Sequence, residues 1–482
     1  MKIITKYKSL SRQAKAALWF VMCSFLQKGI SFVTVPIFTR LLSTEEYGVY
    51  SLYLSWLQVL TIFTSLYLYN GVLDNAMAKF KDDRDAFISS MQGICTVIFC
   101  TVAIVTAFFY PLVKRIIGLE PIVMLLMFIE MFFTPATNFW MGRQRFEYRY
   151  KKLVAITLLK SLMNPILGIV AVSLSVHKDL ARISSVVVVE AAIGGILMLY
   201  QYYKGRHFYV KKYWSYGIKL AVPMLPHYLS GMILNQGDRI MINTMVGTAE
   251  VALYGVAYSI GMLVQLFVTA INSAITPWLY DRMEKHRVDE IKTVSTLLLL
   301  FIAGIAIALM LIAPEGILIF GSTKYAEAVY VIPPVAASVF FIFMYSLLSF
   351  PQFYYEKTKF LMVASLGAAL LNIVLNYIFI KLFGYVAAGY TTLVCYIVYS
   401  IGHYLVSLRI IRNELNDRSA NIINTNIVLL ISVLLILATI VVNFLVKLTA
   451  VRYAILTMLL GIIFVKRKVI IDSFRNFKQA KK

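Results

Sequence analysis

Charged residues are scarce in this sequence: only 14% of its 482 residues are Asp, Glu, Lys or Arg, whereas 60% are hydrophobic. Soluble domains usually carry about 25% charged residues, and the mean hydropathy of +0.78 is far too high for such a domain. No segment is left over that could form a soluble domain. The composition therefore excludes a soluble globular protein and predicts an integral membrane protein.

Residues with catalytic or redox chemistry are also few, with four cysteines and five histidines. All four cysteines fall in predicted membrane spans without the spacing of a metal site or a disulfide framework, so we interpret them as packing residues. The histidines are scattered, and the sequence contains no HExxH, P-loop or nucleophile-elbow motif. We therefore do not expect an enzyme, a bound metal or another cofactor.

Long apolar runs recur along the whole chain. A run of about 17–25 apolar residues can cross about 30 Å of hydrocarbon as a helix. The runs are continuous, as in VLLISVLLILATIVVNFLV (428–446), and this excludes the alternating pattern of outer-membrane barrel strands. The sequence predicts an all-α integral membrane protein with fourteen transmembrane helices. Their predicted spans are 14–39, 47–70, 87–112, 117–141, 153–176, 181–203, 215–243, 250–279, 293–313, 326–350, 360–381, 385–408, 422–446 and 450–465.

The 46 lysines and arginines outnumber the 23 acidic residues, and their distribution predicts an orientation. With the N-terminus inside, 33 of them lie in predicted cytoplasmic segments and four lie inside spans. The other nine, among them Arg182 and Arg452, are counted with the outer loops, which here include the outermost residues of the spans. This asymmetry follows the positive-inside rule, so we expect both termini in the cytoplasm. Topology also explains the basic segment GRQRFEYRYKK (142–152) without a nucleic-acid partner, and contact with anionic membrane lipids is the alternative.

Two segments 204 residues apart resemble each other: TRLLSTEEYGVYSLYLS (39–55) and NTMVGTAEVALYGVAYS (243–259). The shared positions are Thr44/Thr248, Glu46/Glu250, Tyr50/Tyr254 and Ser55/Ser259. Each segment contains a predicted outer loop, so the first helix corresponds to the seventh. An even number of helices between the copies preserves orientation and predicts two parallel six-helix bundles. The predicted domains are 1–212, 213–412, and an appended helix pair with a basic tail at 413–482.

Three stretches resemble a known family of transporters. KGISFVTVPIFTRLLSTEEYGVYSL (28–52) is similar to the first-helix signature of bacterial polysaccharide flippases of the Wzx type. AVPMLPHYLSGMILNQGDRIMINTMVGTAEVALYGVAYSIGMLV (221–264) resembles the seventh- and eighth-helix signature, with its Asp-Arg pair at Asp238 and Arg239. GYVAAGYTTLVCYIVYSIGHYLV (384–406) resembles the twelfth helix. The first two motifs are typical of the wider multidrug, oligosaccharidyl-lipid and polysaccharide exporter superfamily.

The resemblance implies a V-shaped transporter of two helical bundles in the bacterial cytoplasmic (inner) membrane. Its implied function is to move an undecaprenyl-diphosphate-linked oligosaccharide from the inner to the outer leaflet by alternating access. The surface polymer would be an O-antigen, a capsule or an exopolysaccharide. We expect as partners this lipid-linked oligosaccharide, membrane lipids, polysaccharide polymerase and chain-length machinery; we expect no nucleic acid, and a monomer.

Several alternatives remain open at the level of the sequence. Many relatives stop at twelve helices, whereas lipid II flippases carry a similar appended pair, which keeps lipid II as an alternative substrate. A multidrug or cation antiporter of the same superfamily would favour acidic cavity residues, whereas the interior of the predicted spans holds four bases and three acids. A polymerase or ligase of the same pathway usually carries a large outer loop, which is not predicted here. Coupling to H⁺, to Na⁺ or to the membrane potential is not decided by the sequence.

Ionisable residues inside the spans are the candidate site residues, because a charge in the bilayer is costly and is kept for a function. A diphosphate cannot cross hydrocarbon unaided, so the implied substrate requires a wet, cationic cavity. The predicted substrate-binding residues are Lys28, Lys160, Asn235 and Arg239. The predicted coupling or charge-pairing residues are Glu130, Glu190 and Asp238.

Lys28 lies in the middle of its span, too far from either end to snorkel, so we expect it to face the cavity. The alternative is a structural ion pair with Glu130 or Glu190. Adjacent residues point about 100° apart on a helix. Asp238 and Arg239 are therefore each expected to have a partner on another helix.

Overall fold

The computed structural model describes residues 11–465, and the side chains of 462–465 lie outside that description. The predicted cytoplasmic ends, 1–10 and 466–482, lie outside the described residues. Within the described part, the chain is all α-helical, with one 3-10 helix at Thr323–Val331 and no strand. The α-helices are α1 (Arg12–Leu41), α2 (Thr44–Ser65), α3 (Val72–Lys79), α4 (Arg84–Phe108), α5 (Tyr110–Ile117), α6 (Pro121–Phe146), α7 (Tyr150–Leu174), α8 (Lys178–Gly205), α9 (Lys211–Met245), α10 (Thr248–Gly261), α11 (Val264–Glu284), α12 (Val288–Leu311), α13 (Ala313–Phe320), α14 (Ile332–Tyr354), α15 (Lys359–Phe383), α16 (Ala387–Leu415), α17 (Thr425–Leu445) and α18 (Thr449–Val465).

Every predicted span overlaps a helix, which confirms the prediction of an all-helical membrane protein. Among residues 11–465, ten helices are long and apolar enough to cross a membrane, or eleven if the bent pair of α10 and α11 forms one span. The count of fourteen is not confirmed. Helices α2 and α9 carry polar side chains such as Gln58 and Gln236, which lower their hydropathy, and α18 is shorter. The single helix predicted at 250–279 is broken after Gly261, where α10 and α11 meet at 42°.

Packing divides the chain into two units, Met1–Ala252 and Leu253–Lys482. In the first unit, α8 packs against α4, α6 and α7, α1 packs against α7, and α9 packs along α2. Phe87, Phe139 and Tyr213 belong to its buried core. Helix α9, which the predicted domains assign to the second bundle, packs with the first unit, and the division at 212/213 stays a prediction.

Helix α14 forms the centre of the second unit. The most apolar part of the segment Thr323–Tyr354 is 89% buried, compared with 11% for α1. Helix α14 packs against α11, α12, α16 and α17, and Phe340 and Phe343 are fully buried there. Helix α17, the first of the predicted appended pair, is therefore part of the core of this unit.

A buried arginine joins helix α18 to the rest of the second unit. Arg452, counted from sequence among the outer-loop residues, lies in α18 and is 2% exposed. Its guanidinium donates to both carboxylate oxygens of Glu315 at 2.7 and 2.8 Å. The hydrogen bond from Arg452 holds the pKa of the Glu315 carboxyl below its usual value. The second helix of the pair is thus tied to α13 by a bidentate ion pair.

The two similar sequence segments have matching local structure. Helix α2 begins at Thr44 and α10 begins at Thr248, at the predicted spacing. The hydroxyls of Ser55 and Ser259 each donate to the carbonyl four residues earlier, at 2.9 and 2.8 Å. The local helix start and hydrogen bond therefore recur as the repeat predicts.

Candidate functional site

Four charged side chains of the first unit form a buried charge cluster: Glu130 of α6, Lys160 of α7, and Arg182 and Glu190 of α8. Glu130, Arg182 and Glu190 are only 8, 7 and 2% exposed. Glu130 interacts electrostatically with the other three. Two acids and two bases balance each other, so the cluster carries no net formal charge.

Glu190 has two partners on neighbouring helices. Lys160 forms an ion pair with its carboxylate, and the Thr137 hydroxyl donates to the same carboxylate at 2.8 Å. A buried carboxylate requires such partners, because its transfer from water costs several kcal/mol without them. The structure therefore brings together the predicted residues Lys160 and Glu190. Whether Lys160 also contacts substrate stays a prediction.

Two tyrosines of α2 complete the cluster. The Tyr53 hydroxyl donates to the Glu130 carboxylate, and Arg182 donates to the Tyr50 hydroxyl at 3.0 Å. The Arg182 guanidinium also lies 4.1 Å from the ring centroid of Phe38 and 4.7 Å from that of Tyr50. These cation–π contacts stabilise a buried cation that forms no ion pair with another described residue.

Tyr50 and Tyr53 were not predicted from the sequence as site residues, and the predicted place of Arg182 differs from the observed one. Arg182 was counted among the outer-loop residues, but it lies inside α8 and is buried. A signal was available: Arg182 and Glu190 are eight residues apart, and Tyr50 and Tyr53 are three apart, so each pair shares a helix face.

A second polar group, here called the polar strip, joins α2 to α9 and consists of Ser55, Gln58, Gln236 and Arg239. Ser55 donates to the Gln236 carbonyl at 3.2 Å, and the Gln236 amide donates to Gln58 at 3.1 Å. Arg239 donates to the Gln236 carbonyl at 3.3 Å and to the backbone carbonyl of Asn235 at 3.0 Å. Arg239 thus contacts the backbone of Asn235, whose side-chain amide donates to the backbone carbonyl of Gly231 at 2.7 Å. The other members of the strip were not predicted from the sequence.

Asp238 and Arg239 differ in burial, because neighbours on a helix point about 100° apart. Asp238 is 1% exposed, whereas Arg239 is partly exposed. The two side chains therefore face different surroundings, and a coupling role for Asp238 stays a prediction.

Lys28 stands apart from the buried charge cluster. It lies in the middle of α1, is exposed, and forms no ion pair with any other residue that the structure describes. Among the described residues, Lys28 forms no ion pair with Glu130 or Glu190, whose carboxylates bind Tyr53 and Lys160, and its role stays a prediction. Residues 11–465 hold no group of three or more His, Cys, Asp or Glu side chains that could bind a metal ion.

Comparison with protein families gives two matches. A family model described as "Polysaccharide biosynthesis protein" matches residues 14–283, more than half of the chain, and a MatE model matches residues 223–378. From Haemophilus influenzae, the "Lsg locus putative protein 1" is 25% identical over 168 residues, which cover 33% of this chain and 39% of the relative. An "Uncharacterized membrane protein" of the same organism is 32% identical over 160 residues, which cover 33% of this chain and 37% of the relative. The chain spans about two fifths of the length of these relatives.

Solved structures share the fold over most of the chain. The lipid II flippase MurJ in an inward closed conformation gives a TM-score of 0.70 at 15% identity, covering 94% of this chain and 100% of MurJ. An inward-facing multidrug resistance MATE transporter gives a TM-score of 0.61 at 13% identity, and the match covers 82% of this chain and 96% of that transporter. These similarities show that the chain shares the fold of MurJ and of this MATE transporter. The match over residues 14–283 shows, in addition, that the chain belongs to the polysaccharide biosynthesis protein family.

Proposed function

We propose that this protein is a flippase that moves an undecaprenyl-diphosphate-linked oligosaccharide from the inner to the outer leaflet of the bacterial cytoplasmic membrane. Family membership supports a role in polysaccharide biosynthesis, and the fold shared with a lipid II flippase supports a lipid-linked substrate. Alternating access would expose the polar part of the substrate to each side in turn. The charge distribution supports cytoplasmic termini.

The observation that carries this proposal is that Lys28 is exposed and forms no ion pair among the described residues. A lysine near the bilayer centre costs at least about 2.5–3.5 kcal/mol, and it is kept where it faces a wet cavity or a partner. Lys160 has a carboxylate partner in Glu190, whereas Lys28 is exposed and forms no ion pair among the described residues. Lys28 is therefore an intramembrane cation that is available to a phosphate or an acidic sugar.

Proteins that share this fold are named for two rival substrates. A multidrug or cation antiporter is compatible with the MATE-like fold, but its cationic substrate would be repelled by Lys28. Lipid II carries the same diphosphate chemistry, so an interaction with Lys28 does not distinguish it from the proposed substrate. We therefore propose a diphosphate-linked glycolipid, with a surface-polymer precursor ahead of lipid II because of the family match.

The drive for transport is part of the proposal. An inside-negative potential of about 100 mV drives a diphosphate of charge about −2 outward, and this movement releases about 4.6 kcal/mol if the charges of the protein stay in place. The membrane potential would then suffice, and H⁺ or Na⁺ coupling through Glu130 or Asp238 is the alternative. We propose a monomer that hands its product to polysaccharide polymerase and chain-length machinery.

Replacing Lys28 by alanine is expected to abolish glycan export while leaving a normal amount of protein in the membrane. The side chain is exposed and unpaired among the described residues, so its removal strands no buried carboxylate. Lys28→Arg should retain part of the activity, because the charge persists while the donor geometry changes. The measurement is surface glycan per unit of membrane-inserted protein.

Lys219→Ala is the matched control for this experiment. Lys219 is also an exposed lysine within a membrane helix, α9, but it lies near the predicted cytoplasmic end, where it can snorkel. Export should therefore stay at the wild-type level. Wild-type export by Lys28→Ala at normal protein level would refute the proposed role of Lys28.

A further inference from the structure

A surface cavity of about 450 Å³ lies between the start of α1 and the start of α7. This volume is within the range of roughly 300–1,000 Å³ that is typical of small-ligand sites. Five basic and two aromatic residues of the described chain line the cavity, and none of these lining residues is acidic. They are Arg12, Lys15, Tyr148, Arg149, Tyr150, Lys151 and Lys152. We call it the basic cavity.

Most of this positive charge is not neutralised by the neighbouring carboxylate. Glu147 accepts a hydrogen bond from Arg12 through its backbone carbonyl at 3.2 Å, but its carboxylate is bound by three other arginines at 2.9–3.6 Å. Arg12, Lys151 and Lys152 form no ion pair with another residue in the described part of the chain. The basic cavity therefore has an excess of cations that a bound anion would balance.

The lysines also occupy an unfavourable end of a helix. Lys151 and Lys152 lie in the first turn of α7, which contains no acidic residue and has no side-chain cap. The N-terminus of a helix carries partial positive charge, so cations there are destabilising and anions are stabilising. An anion in the basic cavity would relieve this repulsion and also meet the free backbone N–H groups of the first turn.

The aromatic residues place the basic cavity at the surface of a membrane. Trp19 of α1 stacks on Tyr150, with ring centroids 6.3 Å apart and planes at 11°. Beyond Trp19, α1 continues as a helix that is long and apolar enough to cross a membrane. Tryptophan and tyrosine are enriched at the level of the headgroups. The anion that reaches this cavity most directly is therefore one carried by a lipid.

We propose that the basic cavity binds the phosphate group of an anionic membrane lipid, with Lys151 and Lys152 as principal contacts. Phosphate oxygens accept strong, charge-assisted hydrogen bonds from such side chains. The phosphate could belong to a resident glycerophospholipid or to a polyprenyl diphosphate. A glycerophospholipid site would be independent of the proposed flippase activity. A polyprenyl diphosphate site rests on that activity and would make the cavity a docking position for the transported lipid.

The test is lipid binding to the purified full-length protein by native mass spectrometry, with phosphatidylglycerol, undecaprenyl diphosphate and zwitterionic phosphatidylcholine as probes. Each lysine near an anionic surface contributes about fivefold in affinity, so Lys151→Gln/Lys152→Gln should weaken binding of the anionic probe about 30-fold. Binding of phosphatidylcholine should not change. Lys151→Arg/Lys152→Arg should restore the binding, because it keeps both charges.

Lys81→Gln/Lys211→Gln is the matched control, since both lysines are exposed in the same unit and lie outside the basic cavity. It removes the same charge and should leave binding unchanged. Tight binding of phosphatidylglycerol would identify a resident lipid site, and preferential binding of undecaprenyl diphosphate would identify a substrate docking site. Equal binding by wild type and the Lys151/Lys152 variant, or equal weakening in the control, would overturn the proposal, whatever the outcome of a transport assay.

Discussion

Lys160→Met is expected to lower the free energy of unfolding by about 3–5 kcal/mol, because it leaves the buried carboxylate of Glu190 without its cation. Glu190 is 2% exposed, and the hydroxyl of Thr137 alone cannot offset its charge. The loss should appear as a lower unfolding temperature and a smaller yield of monodisperse protein in detergent. Scanning fluorimetry and size-exclusion chromatography measure these two quantities.

The double variant Lys160→Met/Glu190→Gln separates a structural ion pair from a substrate contact. Glutamine removes the stranded charge and keeps an oxygen for the Thr137 hydroxyl, so most of the lost stability should return. Export per unit of protein in this double variant then reports the substrate role of Lys160. A single Lys160→Met variant with wild-type stability would contradict the assignment of a buried ion pair.

Gly48→Ala is expected to destabilise the first unit by about 1–3 kcal/mol or more, because there is no room for a side chain. A β-carbon at Gly48 would lie 1.9 Å from the backbone carbonyl oxygen of Thr248. Backbone cannot rotate away as the end of a side chain can, so the start of α2 and the start of α10 would have to separate. The unfolding temperature of the purified protein measures this loss.

Gly231→Ala provides the matched control for the substitution at Gly48. Gly231 also lies inside a helix, α9, but a β-carbon there would meet no described atom within 4 Å. Alanine favours a helix over glycine by about 1 kcal/mol, so this variant should be neutral or slightly more stable. Equal unfolding temperatures for the two variants would show that the close approach at Gly48 is wrong.

The helical fold could be predicted from the sequence because a bilayer leaves few choices for the backbone. Every N–H and C=O in hydrocarbon must be satisfied internally, so each long apolar run becomes a helix. The number of spans is harder to derive from hydropathy, because helices such as α2 combine apolar length with internal polar residues that form the polar strip. Hydropathy also gave no sign of the 42° bend after Gly261.

The candidate residues could be predicted only as single positions. Lys160 and Glu190 were identified because charges in a span are costly, but their pairing depends on the packing of α7 against α8. Arg182 was missed because it lies at the edge of its predicted span and is stabilised by Phe38, which lies far away in the sequence. Lys28 was predicted to be available to substrate from its position alone, and its exposure supports that proposal.

The most direct test of the proposed flippase activity is transport in proteoliposomes that contain the purified protein and an undecaprenyl-diphosphate-linked oligosaccharide. We predict that wild-type protein and Lys219→Ala move the glycan across the bilayer faster than protein-free liposomes do, that an imposed potential of the favourable sign accelerates the movement, and that Lys28→Ala abolishes it. A glycan that crosses no faster than in protein-free liposomes, together with protein-dependent transport of an organic cation, would contradict the proposed function.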